Sequence, residues 1–274
     1  MADKKPFAAK FIAEPGRKFL LSKHDPRDDS AFDDKDKAKE QLVKDAEAID
    51  ALQDRMFAEG KQALLVILQG IDCSGKDGTV RAVFNTCGPL GVVVKSYGVP
   101  SDVERAHDYL WRVHNACPAK GYIGIFNRSH YEDVLVVKVE KFAPEDAIER
   151  RYDEINQFEK FIVNSGTRIL KFMLNVSKEE QAVRLQERVE DPTKQWKFKA
   201  GDLTTRAKWD EYMAAYETAV SRCSTDIAPW HIIPADRNWV RNASIARIVR
   251  ETLEGMNPQY PKPRDWDPKT IKIT

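Results

Sequence analysis

The stretch LVILQGIDCSGKDGTV, residues 65–80, decides how this chain is read. An apolar run that begins at Ala63 stops at Gly70, and Gly75 and Lys76 follow at the spacing Gly-x-x-x-x-Gly-Lys. Between a strand and a helix this spacing makes a phosphate-binding loop. The glycines let backbone N–H groups turn inward around a phosphate, and the helix N-terminus adds partial positive charge. Lys76 can reach the phosphate being moved, and Gly70, Ser74, Gly75 and Gly78 complete the loop. After the lysine the pattern departs from the usual one. Asp77 stands where a hydroxyl residue ordinarily meets Mg²⁺, and a second acid, Asp72, lies inside the loop. Two like charges 4 Å apart repel by about 4 kcal/mol at an effective dielectric near 20, so an acid beside phosphate calls for a cation between them. Asp72 is the better metal candidate, and Asp77 is an alternative cap for the helix that starts there. Thr79, the nearest hydroxyl, reads equally as a ligand or as a first-turn helix residue. Cys73 reads as a small filler.

Working outward, short apolar runs at 63–69, 92–96, 122–126, 168–176 and 230–235 alternate with helical patterns at 77–87, 102–116, 144–164, 178–190, 204–223 and 239–255. Nearly continuous apolar strands suit a parallel sheet buried on both faces, and the alternation predicts a three-layer α/β fold. Ligands of such sheets bind at the carboxyl ends of the strands. Ahead of the sheet, residues 1–29 are polar and predict an arm packed on the body. A long helix is expected after Ser30 and Asp33, which have capping-box spacing, ending at Gly60. The proline-rich tail NPQYPKPRDWDP is expected to run over the surface.

Two further segments carry chemistry. After the third strand, NRSHYEDV brings Asn127, Arg128, Glu132 and Asp133 to the carboxyl end of the sheet. A neighbouring strand commonly delivers the acid that holds Mg²⁺ in phosphate-loop proteins, so Asp133 is the second metal candidate and Arg128 a phosphate clamp, its planar fork matching two oxygens. Glu132 reads either as a ligand or as decoration of a helix's first turn, and His130 as structural. After the fourth strand, Ser177 and Glu180 open a helix bearing Arg184 and Arg188 on one face. Lys194, Lys197 and Lys199 follow in DPTKQWKFKAGD, with Trp196 as a packing anchor. This helix–loop reads as a lid that closes over phosphates and excludes water. Arg112, on the helix after the second strand, is a further candidate, with surface placement nearly as good a reading.

Composition sets limits. With 44 basic and 43 acidic residues the formal net charge is +1, so the whole-protein basic field that holds duplex nucleic acid is absent. The longest aliphatic run is too short to span a bilayer. The cysteines, Cys73, Cys87, Cys117 and Cys223, form no C-x-x-C pair, and MADKKPFAAKF lacks the apolar core of a secretory signal. Both point to a reducing cytoplasm.

Together GIDCSGKDG, FNRSHYEDVLVVKV, LWRVH, KQWKFKAGDL, DIAPWHIIPADRNW and MNPQYP resemble the polyphosphate kinase 2 family, from about residue 10 to the end. The resemblance implies a P-loop kinase fold like that of thymidylate kinases, with a five-stranded parallel sheet. Residues 1–60 would form the arm and first helix, and 61–274 the kinase domain with a lid at about 177–206. It implies transfer of the terminal phosphoryl group of inorganic polyphosphate to a nucleotide with Mg²⁺ or Mn²⁺. Asp72 and Lys76 would serve the phosphate loop, Asn127, Arg128 and Asp133 its Walker B-like partner, and Arg184 and Arg188 the lid. Histidine rather than tryptophan after Ser129 resembles the subgroup that accepts both AMP and ADP. Members of the family often form dimers or tetramers. An ATP-dependent nucleoside monophosphate kinase, which shares the loop, lid and acceptor helix, is the rival reading.

Overall fold

In a computed structural model, residues 6–263, 270, 271 and 273 are described; part of the tail, 264–268, lies outside them. Five parallel strands, β1 (Ala63–Gln69), β2 (Val92–Ser96), β3 (Ile123–Asn127), β4 (Thr167–Asn175) and β5 (Trp230–Pro234), form one sheet in the order β2-β3-β1-β4-β5. Every residue of β1 and β5 is buried, whereas edge strand β2 leaves Val93 and Val94 half exposed. The register Leu68↔Asn127 ends β1 and β3 within one residue of each other, which sets the loops after them side by side, while β4 runs two residues past the Gln69↔Met173 pair. The central strands are thus covered on both faces, as their unbroken apolar runs require.

Among the described residues ten α-helices flank the sheet: α1 (Lys35–Glu59), α2 (Lys76–Phe84), α3 (Asp102–Arg105), α4 (Trp111–His114), α5 (Val136–Val139), α6 (Glu145–Asn164), α7 (Lys178–Glu190), α8 (Ala200–Ala207), α9 (Trp209–Cys223) and α10 (Asn238–Met256). Three differ from the sequence expectation. The cap of α1 is Asp34, whose carboxylate accepts from the N–H groups of Asp36 and Lys37, rather than the Ser30 box; Gly60 ends the helix in left-handed conformation as expected. The helix expected over 102–116 is two short ones separated by residues 106–110, where Asp108 accepts from Leu110 N–H and makes a turn. The helix expected from 204 begins at Ala200 and breaks at Lys208.

The N-terminal arm is sewn to the body by its backbone. Ile12 bridges His231 in antiparallel sense, with Ala13 N–H donating to Trp230 and Ile232 N–H to Phe11. The arm thereby covers the β5 edge, which would otherwise present unpaired backbone groups. Further on, Phe19 and Leu21 donate N–H groups to Ser221 and Glu217 of α9.

Candidate active site

The loop after β1 wraps on itself. The Lys76 ammonium donates to the carbonyls of Gly70 (2.6 Å) and Ile71 (3.2 Å), so the lysine lies folded across its own loop. Burial, with the neighbouring Arg128 charge, pushes its pKa down to about 8. Gly70 is obligatory: a Cβ there would stand 2.6 Å from Ser74 Oγ and 2.9 Å from the Leu174 carbonyl. Ser74 and Thr79 are fully buried, and Thr79 Oγ1 donates to the Gly75 carbonyl within the first turn of α2. Cys73 is a buried thiol pushed up to about 11 by that burial, the inert filler expected.

Each acid near the loop has a cation or amide partner. Asp72 Oδ1 accepts from Arg128 Nη2 at 2.5 Å, and Glu132 takes the guanidinium's other nitrogen at 3.1 Å. Arg128 sits at φ 63°, a left-handed conformation that bends the chain out of β3 and back over the loop. Burial works against its charge, but Glu132 and Asp72 outweigh it and hold the guanidinium firmly protonated. Asp77 does not cap α2, whose cap is Gly75. It accepts instead from Asn127 Nδ2 (2.7 Å) and from Lys197 Nζ of the lid loop (3.4 Å). Burial raises its pKa, yet these two partners prevail and lower it.

A cleft of about 720 Å³ opens above this loop. Of the predicted residues, Asp72, Gly75, Lys76, Asp77 and Gly78 line it from the loop and α2, and Asn127 and Arg128 from the end of β3. Arg184, Arg188, Lys194 and Lys197 close the other side. Eight basic and five acidic side chains form its wall. The two lid arginines differ. Arg188 Nη1 meets Asp202 at 3.3 Å and is otherwise uncommitted, whereas Arg184 is spent inside the protein. It bonds Glu180 (2.9 Å) and the carbonyls of Cys73 (3.0 Å), Ala235 (2.7 Å) and Asp236 (2.8 Å). It thus fastens α7 to the phosphate loop and to the end of β5. Trp196 is 73 % exposed on the cleft rim, not packed as an anchor.

Asp133 lies elsewhere. The two acids of HYED diverge: Glu132 turns to Arg128, and Asp133 sits between Arg151 (3.6 Å) and Arg112 (4.0 Å). Burial raises the Asp133 pKa to about 6 in spite of both arginines. It lines a second cleft of about 620 Å³ with Arg105, Tyr109, Arg112, Arg151 and Glu154. Asp72 and Asp133, paired as metal acids on sequence, therefore face different clefts. Among the described residues no cluster of three or more His, Cys, Asp or Glu is arranged to cage a metal. A Mg²⁺-type ion takes one or two carboxylates and completes its shell with substrate phosphates and water. Asp72, a hard oxygen donor on the cleft wall, fits such a role.

A buried network positions the loop after β3. Lys171, in the middle of β4, bonds Glu159 of α6 (2.6 Å), Tyr131 Oη (2.9 Å) and the Cys223 carbonyl (2.7 Å). Glu159 also takes Tyr131 Oη (2.8 Å) and faces His130 Nε2 (3.3 Å). All four side chains are buried, and burial lowers the His130 pKa. Histidine and tyrosine are thus the root of the loop, in keeping with a structural reading of His130, while Arg128 and Asp133 reach the two clefts. Sequence reasoning passed over Lys171 and Glu159, although a lysine inside an apolar strand was a visible signal. It also passed over Arg241, whose guanidinium lies against Gly75.

The comparisons with known proteins agree. The family model described as polyphosphate kinase 2 matches residues 10–261. The chain is 48 % identical over 263 residues to an AMP/ADP-polyphosphate phosphotransferase of Meiothermus ruber, covering 96 % of this chain and 98 % of that one. It is 36 % identical to an ADP-polyphosphate phosphotransferase of Rhodopseudomonas palustris, over 92 % and 91 % of the two chains. The crystal structure of polyphosphate kinase 2 from Arthrobacter aurescens TC1 superposes with a TM-score of 0.91 at 40 % identity, covering 96 % and 94 %. With the order β2-β3-β1-β4-β5, a phosphate loop after β1 and a basic cleft above it, the chain belongs to the polyphosphate kinase 2 family.

Proposed function

We infer that the protein moves the terminal phosphoryl group of inorganic polyphosphate to AMP and ADP, and runs the reaction in reverse when ATP is plentiful. The observation that carries this is the excess of basic side chains around the phosphate-loop cleft, in a protein of near-zero net charge and of this family. A polyphosphate chain offers charge and no base to recognise, so a local basic trough is the feature it requires. The evenly balanced second cleft, with Tyr109, Phe142 and four arginines against four acids, suits the less charged nucleotide.

Chemistry here is positioning and charge neutralisation. Lys76 leaves the Gly70 and Ile71 carbonyls for phosphate oxygens. Arg128, oriented by Asp72 and Glu132, presents its fork to the group in flight. Arg188, Lys194 and Lys197 follow the chain of anions, and the contact of Lys197 with Asp77 draws the lid loop onto α2, excluding water. A divalent ion, Mg²⁺ or Mn²⁺, would be held by Asp72 together with substrate phosphates, and supplies neutralisation of charge between the two anions. Asp133 fixes Arg112 and Arg151 at the acceptor side.

We also propose a cytoplasmic location, supported by four cysteines that are all free thiols, as a reducing compartment keeps them. Self-association as a dimer or tetramer is a further expectation, read out by light scattering. The deciding experiment mixes protein, Mg²⁺, ADP and polyphosphate and follows ATP by luciferase, with AMP in a parallel arm. ATP formed only at the level seen without polyphosphate overturns the assignment in favour of an ATP-dependent nucleoside monophosphate kinase.

A further inference from the structure

Arg241 is a buried cation that neither the phosphate-loop motif nor the lid accounts for. It rises at the end of the first turn of α10 and is 2 % exposed. Its hydrogen bonds go to neutral acceptors. Nη1 donates to Asn238 Oδ1 (2.6 Å) and the Ser74 carbonyl (3.3 Å), and Nε to Asn242 Oδ1 (3.1 Å). Arg112, Arg128 and Arg184 each face a carboxylate. Among the described residues none comes within ion-pair distance of Arg241. Burial, with the nearby Arg184 charge, pushes its pKa down to about 9. A buried charge without a counter-ion is destabilising, and is retained where a ligand brings the opposite charge.

Its position says which ligand. A Cβ on Gly75 would stand 1.9 Å from Arg241 Nη1 and 2.5 Å from Cζ. A Cβ on Gly78 would stand 3.2 Å from Nη2. The guanidinium therefore occupies the space that side chains at these two loop positions would fill, and it lines the 720 Å³ cleft. The Gly75 glycine serves two purposes: it adopts φ 100°, and it admits Arg241.

We propose that Arg241 is a phosphate-binding residue of this cleft, its Nη2 donating from α10 to a non-bridging oxygen of the phosphoanhydride held at the loop. This rests on reading the cleft as the phosphoryl-transfer site. The oxygen belongs to polyphosphate or to a nucleotide's terminal phosphate; the chemistry of the contact is the same.

The test compares wild type with Arg241→Ala and Arg241→Lys, titrating tripolyphosphate in one arm and ADP in the other by calorimetry. Melting temperature and turnover are measured on the same preparations. Arg241→Ala is expected to keep or raise the ligand-free melting temperature, because an unbalanced charge is removed. Its affinity for one of the two ligands falls at least tenfold, which identifies the phosphate held there. Added guanidinium restores part of its turnover, and Arg241→Lys falls between Ala and wild type. Unchanged affinity for both ligands in Arg241→Ala overturns the proposal. So does a loss of turnover that follows a lowered melting temperature and is not rescued by guanidinium. If Arg241→Ala does not fold, Arg241→Lys decides: wild-type affinity for both ligands in it overturns the proposal. Wild type that binds neither ligand sinks the reading of the cleft itself, a result distinct from an indifferent Arg241.

Discussion

The two clefts at the carboxyl end of the sheet share one loop, with Asn127 and Arg128 lining the first and Asp133 the second, yet differ in charge. The phosphate-loop cleft has more basic than acidic walls and draws them from β1, β3, the lid and α10. The second cleft sets four arginines against four acids around Tyr109 and Phe142. Glu132 and Asp133 part company between them, one bracing Arg128 and the other held by Arg112 and Arg151. Surplus cation leaves charge for a polyanion; balanced charge holds its own side chains in place and leaves specificity to shape. A single short loop, rooted by the buried Lys171–Glu159 pair, thereby contributes to both clefts at once.

The sharpest way to break this comparison is Lys76→Ala. Removing one pre-aimed donor to developing charge lowers kcat by about 10²–10³, with the melting temperature little changed. Near-normal turnover in this variant would show that the first cleft is not where phosphate moves. Asp133→Asn should act on the other side, raising KM for AMP and ADP about thirtyfold or more while polyphosphate affinity holds, the lower end of what removing a buried charge partner costs. Equal losses for both substrates would merge the two clefts into one site.

The lid supplies a finer contrast. Arg184→Ala is predicted to cost about 2–3 kcal/mol of stability, since a charged donor is withdrawn from three carbonyls. Arg188→Ala should leave the melting temperature alone and weaken polyphosphate binding about tenfold, chiefly for long chains. Urea melts and donor-length profiles on the pair test this, and the reverse pattern refutes it. The smallest effect is in pH. Lys76 must be charged to hold phosphate, and its pKa lies near 8 in the free protein. So kcat/KM for polyphosphate should fall as pH rises through about 8. The limb of kcat should lie higher, because bound phosphate favours the ammonium form. A kcat/KM profile flat to pH 9.5 would disprove the role.

Much of this was readable in the chain. Gly70, Gly75 and Lys76 announce their loop because the motif is local: backbone turn, helix start and lysine lie within seven residues. β1, β3, β4 and β5 were legible because burial forces nearly unbroken apolar runs; edge strand β2 shows the same apolar run although its Val93 and Val94 are half exposed. The break between α3 and α4 was not, since Arg105 and Arg112 keep helical spacing across it and the turn at Asp108 depends on one side-chain hydrogen bond. The double commitment of Arg184 was equally hidden, because its carbonyl partners come from residues 73, 235 and 236. Arg241 carried one faint sign, a positive charge near a helix N-terminus, where the macrodipole disfavours it.

The sequence by itself determined the α/β layering, the phosphate loop and the family, because each is written in patterns a few residues long. Tertiary structure alone decided which acid faces which cleft, which lid arginine is tied down by backbone carbonyls and that Arg241 lies beneath the loop. Those outcomes depend on where charges from distant segments meet. Ser74 and Arg241 are 167 residues apart in the chain and 3.3 Å apart in space, and no spacing rule connects them; only the packing of α10 against the sheet does.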